Sequence, residues 1–188
     1  MRLYPIVLGA LVPLVLWAED GVRATTAELE AMTKSGRHAE ALLHAEEVAV
    51  GQRNDRWRTM VLHAALGYLS QLASETSPGR DGIAVELQRR YAFLAHAKDF
   101  LRRRDEAITA GYRECVALQQ KDLDCPARLE DRLAEAGHDS ALVAQAVKEV
   151  AELQGAPAAK RLLEGTLQRA PASAKEKIRA DKRVAPYL

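Results

Sequence analysis

The sequence predicts an all-α fold of antiparallel helical hairpins, and three observations predict it. Apolar residues recur at steps of three and four through most of the chain, which marks helices that bury one stripe. Hydrophobic residues make up 48% of the 188 positions but aromatics only 5%, so the core must be mostly Leu, Ala and Val, in a composition that favours helix. No stretch shows the sustained alternation of a half-buried strand. The length suits one domain with a real core.

The chain opens with Met1 and Arg2, an apolar run from Leu3 to Leu16 broken by Pro5 and Pro13, and Trp17-Ala18. These are the parts of a secretory signal peptide, so residues 1–18 are read as a leader cut after Ala18 and the protein as periplasmic or secreted. The run falls short of the roughly 20 apolar residues that a spanning helix wants. The alternative is an uncleaved anchor that holds the domain outside the cytoplasm, with membrane contact confined to this segment.

Residues 19–171 then read as the helical domain. Thr25 or Thr26 caps a first helix to Lys34, with Glu28 and Glu30 in its first turn. Ser35-Gly36 turns the chain into a second helix through Ala39, Leu42, Ala45 and Val48 to about Val50. Trp57, Val61, Ala64, Tyr68 and Leu72 line a third, with Trp57 as a core anchor. Ser74 to Gly82 is dense in turn residues and reads as a loop. A fourth helix runs from Ile83 to Leu101 on Leu87, Tyr91, Leu94 and Ala95. Arg102, Arg103 and Arg104 interrupt it, and Asp105 caps a fifth helix on Ala107, Ile108, Gly111, Cys115 and Leu118. Pro126 suits the first turn of a helix through Ala136 that Gly137 closes. Asp139 or Ser140 caps the next, Ala141 to Leu153, and Gly155-Ala156-Pro157 leads into Ala158 to Ala170. Residues 172–188 are rich in Lys and Arg and read as a polar capping helix or a tail.

Tyr91, Leu94, Ala95 and Ala107 stand at the spacings of a tetratricopeptide repeat, whose pattern takes an aromatic, Leu and a small residue, then Ala on the second helix. Met32, Gly36, Glu40 and Ala41 resemble the turn and second helix of another unit, and Pro171 stands where that family closes one. Ala41 and Ala107 are separated by close to two units of about 34 residues. The chain thus resembles a degenerate tetratricopeptide-like array. The resemblance implies a short α-solenoid that binds a partner protein or peptide on its concave face, without catalysis and without a cofactor.

The residues themselves bound the chemistry. A formal net charge of +1 lacks the basic footprint of a nucleic-acid binder. His38, His44, His63, His96 and His138 include no i, i+4 pair, and neither HExxH nor paired CxxC is present, so no metal is expected. No GxSxG elbow or glycine-rich phosphate loop appears. The one charge cluster joins Arg89 and Arg90 to Arg102, Arg103 and Arg104. It reads either as the edge of a groove that takes an acidic peptide through bidentate contacts or as solvated helix ends. Cys115 and Cys125 either pair across a short loop in an oxidising compartment or stay separate thiols. Two other functional classes remain open: a carrier of a small apolar molecule or lipid between helices, and a cell-envelope hydrolase built on a carboxylate pair.

Overall fold

In a computed structural model the chain is described over residues 24–75, 79–118 and 124–188, which hold nine α-helices and no strand. Met1–Ala18, read above as a leader, lies outside the described residues. The helices are α1 (Thr26–Lys34), α2 (His38–His44), α3 (Asp55–Ser74), α4 (Arg80–Arg90), α5 (Lys98–Ala117), α6 (Cys125–Glu135), α7 (Ser140–Gln154), α8 (Ala156–Arg169) and α9 (Ala172–Ala180).

Local chemistry sets most of these boundaries. Thr25 and Glu28 form a reciprocal capping box at the start of α1, which satisfies two donors that the first turn leaves open. Asn54, Asp124 and Asp139 cap α3, α6 and α7 by accepting from backbone N–H groups. Gly137 leaves α6 with φ at +75°, a left-handed conformation that costs glycine least.

Three expectations fail. Of the stretch from Ser74 to Gly82 read as a loop, Ser74 belongs to α3 and Arg80, Asp81 and Gly82 to α4. The helix foreseen from Ile83 to Leu101 ends at Arg90; a 3₁₀ turn spans Ala92–His96, and α5 starts at Lys98. Arg102, Arg103 and Arg104 therefore lie inside α5, and Asp105 is an interior residue rather than a cap. Tertiary contacts place the break. Tyr91 is buried and its hydroxyl donates to the Leu42 carbonyl oxygen at 3.0 Å, while Leu94 within the turn and Phe100 just after it are fully buried. The second helix also stops early, at His44, because Trp57 Nε1–H donates to the Ala45 carbonyl oxygen at 2.9 Å and Arg53 donates to that of Val48 at 2.9 Å.

Packing is local in sequence. Helices α1, α3, α5, α7 and α9 each pack on the next of that series, and α4, α6 and α8 do likewise, while α2, α4, α6 and α8 also pack against neighbours of the first series. Both α3 and α5 are 20 residues long, and they begin at residues 55 and 98, an offset of 43. Buried positions keep that offset: Trp57 matches Phe100 and then Val143, Val61 matches Arg104 and Val147, and Ala64 matches Ala107 and Val150. Three helices thus reuse one buried stripe.

The apolar interior forms two clusters. One joins α1–α3 to Leu87, Tyr91, Leu94, Phe100 and Ala107, and the other joins Ile108, Tyr112 and Cys115 to α6–α9. Helix α5 feeds both. The tail after Pro171 is pinned rather than loose, since α9 buries Ile178 and the following turn buries Val184, both at the second cluster. Polar outside and apolar inside, it closes that end of the core.

Candidate interaction groove

Between α3, α5 and α7 lies an open groove of about 290 Å³. Its apolar lining is Leu69 and Ala73 from α3 with Ala107 and Ala110 from α5. Three arginines edge it: Arg80 at the start of α4, and Arg103 and Arg113 on α5. Glu106, Thr109 and Gln145 complete the polar lining. On α5 the positions 103, 106, 107, 110 and 113 share one side of a helix with 3.6 residues per turn. Small residues there leave the space; the long ones frame it.

Arg80 and Arg113 are held in place by acids outside the lining, and Arg103 by Glu106 within it. Arg113 Nε donates to Glu149 at 2.7 Å and its Nη2 makes a second bond to the same carboxylate. The Arg113 side chain is 56% exposed while that of Glu149 is 12% exposed, so the guanidinium faces solvent with its acid behind it. The acid holds Arg113 above its ordinary value, through the hydrogen bond first. Arg80 pairs with Glu114, and the Arg80 Nε is buried without a hydrogen-bond partner. Arg103 pairs through Nη1 with Glu106 at 3.1 Å, and Glu106 also accepts from Arg102 at 3.0 Å.

Of the five arginines expected to edge one groove, the structure places only Arg103 in this one. Arg102 lies beside it on α5, paired with Glu106 and Asp99. Arg89 pairs with Glu86 and lines a separate recess with Gly82, Val85 and Arg132. Arg90 reaches back to Glu46 through two bonds of 2.7 and 2.8 Å and is exposed. Arg104 is not at the surface at all, with 1% of its side chain exposed. It fills the slot that Val61 and Val147 fill in the sister helices, and Asp105, Gln88 and Asp139 satisfy its guanidinium. A buried charge of this kind needs such partners. Burial in turn raises Asp105 above its ordinary value, in spite of the nearby Arg104.

Arg80, Arg113 and Ala110 escaped the sequence reading. For Ala110 and Arg113 the signal was present in the one-sided spacing along α5, legible only once residues 98–117 are known to be a single helix, whereas Arg80 reaches the groove from α4 and had no such signal.

Behind the groove a charged seam joins the two halves. Asp81 is buried on α4 and receives Arg128 at 2.8 Å and Arg132 at 3.0 Å, both from α6. Burial alone would raise the Asp81 carboxyl, but the two arginines outweigh it and hold it below its ordinary value. The same corner carries the disulfide Cys115–Cys125, which ties the end of α5 to the start of α6. That settles the cysteine pairing left open by the sequence.

Among the described residues, no group of three or more His, Cys, Asp or Glu could hold a metal ion, and no helix is long and apolar enough to cross a membrane. No protein-family model, curated protein or solved structure matches this chain.

Proposed function

We propose that this chain is an exported, non-catalytic interaction module that binds a partner protein or peptide in the groove over α5. The observation that carries the reading is the groove itself. Short side chains floor it, and arginines held by ion pairs stand along its edges, an arrangement suited to receiving side chains from a guest. The reuse of one buried stripe by α3, α5 and α7 supports an array of helical hairpins, in which each unit rests on its neighbours and leaves an extended surface for partners. The unit here is 43 residues, counted from residue 55 of α3 to residue 98 of α5, against about 34 in tetratricopeptide arrays. The likeness drawn on is therefore that of architecture and use. Export is supported by the Cys115–Cys125 disulfide, because such bonds persist in oxidising compartments, and by the leader-like residues 1–18.

Site-specific photo-crosslinking in cells tests this. A crosslinker placed at Ala110 should give a discrete protein adduct, and one placed at exposed Lys148 on α7 should not. Equal adduct patterns from both positions, or none from Ala110, would overturn the reading.

A further inference from the structure

We infer that the guest presents an acidic face to this groove, with two carboxylates about three helical turns apart on either side of a small apolar side chain. This rests on the groove being a binding site. Three of its lining residues are arginines and one is a glutamate, while the balancing acids Glu114 and Glu149 do not line it. The lining itself therefore carries more guanidinium than carboxylate, although the protein as a whole is near neutral at +1.

Donor capacity points the same way. Glu149 takes the Nε and Nη2 edge of Arg113, and Glu106 takes Nη1 of Arg103. Among the described residues nothing accepts from Arg113 Nη1 or Arg103 Nη2, which remain to meet a carboxylate, and a guanidinium offers five N–H donors in a planar fork. Arg103 and Arg113 are ten positions apart on α5, about 15 Å along the axis at 1.5 Å per residue. On a guest helix, residues eleven apart return to the same face after about three turns and lie roughly 16 Å apart. Between the arginines, Ala107 and Ala110 leave a recess that suits one or two short apolar side chains. A single helical segment satisfies both demands.

The probe is a synthetic 18-residue Ala/Leu-rich helical peptide with glutamates eleven residues apart on one face, set against its twin with both glutamates replaced by glutamine. Fluorescence anisotropy should show the glutamate peptide binding at least tenfold more tightly at low salt, an advantage that shrinks as screening rises. Arg103→Gln and Arg113→Gln should each remove most of that advantage, and Ala110→Trp should weaken both peptides. Circular dichroism checks folding. Should Arg113→Gln unfold the chain by stranding Glu149, Arg103→Gln carries the test, because Glu106 keeps Arg102. Equal binding of the two peptides, with Ala110→Trp weakening both, overturns the acidic guest and leaves the groove standing. Binding of neither peptide, or binding indifferent to Ala110→Trp, overturns both.

Discussion

Gly111→Ala is the sharpest probe of how the two halves of this protein are joined. A methyl group on Gly111 would come within 2.9 Å of Asp81 Cγ, 3.0 Å of its Cβ and 3.2 Å of its Oδ1. A free side chain would swing aside, but Asp81 is held by Arg128 and Arg132, so α4 and α5 must separate instead. Overpacking of this kind costs about 1–3 kcal/mol. The exchange gains back about 1 kcal/mol, since alanine is the better helix former. The net expectation is a loss of about 0–2 kcal/mol, or a Tm lower by up to roughly 8 °C for a chain of this size. Gly51→Ala, where a methyl group would meet nothing within 4 Å, serves as the control and should be near neutral. Repeating Gly111→Ala in an Asp81→Ala background removes the Cγ and Oδ1 contacts, and the penalty should shrink by about 1 kcal/mol. Thermal and urea unfolding followed by circular dichroism give all four values. A rise in Tm for Gly111→Ala alone, as helix propensity by itself requires, would refute the idea that Asp81 is clamped against this glycine.

Three further outcomes follow from the same structure. Arg104→Ala should cost about 3–5 kcal/mol, because it leaves Asp105 and Asp139 facing an emptied core slot, whereas Arg102→Ala should stay within about 0.5 kcal/mol; urea titration separates the two. Replacing Cys115 and Cys125 by serine removes a short cross-link and should lower stability by about 2–3 kcal/mol, and reductant should then have no further effect on Tm. Stability should fall on acidification. Glu30, held at about 2 by hydrogen bonds from Lys34 and then Arg56, and Asp181, held at about 2 chiefly by Arg183, both have folded values below their unfolded ones. Each contributes stability present above about pH 4 and lost as the pH falls toward 2. Asp105, raised by burial, acts in the opposite sense. Glu30→Gln should flatten the acid limb of a Tm-against-pH series.

The helical character of the chain, and much of its element order, could be read from residue spacing. Capping at Thr25 and Asp139, Pro126 in a first turn and Gly137 at a helix end are local effects, set by backbone hydrogen bonding within a few residues. The sequence reading went astray where long-range contacts overrule local pattern. Tyr91 to Leu101 carries a helical spacing, yet the chain breaks there because Tyr91 is drawn to Leu42. The arginine run read as a groove edge or as solvated helix ends, yet Arg104 occupies a core position because Gln88 and Asp139, far away in sequence, converge on it. The cysteines needed the α5–α6 corner to be placed before their pairing could be read.

Composition and periodicity, taken alone, determined that this protein is a set of amphipathic helices with an aliphatic core. They did so because burial of one stripe and the capping of helix ends act over a few residues. Which helices share a buried stripe, which charges lie inside, and where small residues open a groove were decided only by tertiary structure. Those outcomes depend on side chains from three or four helices meeting at one point, and spacing along a single helix does not encode that meeting.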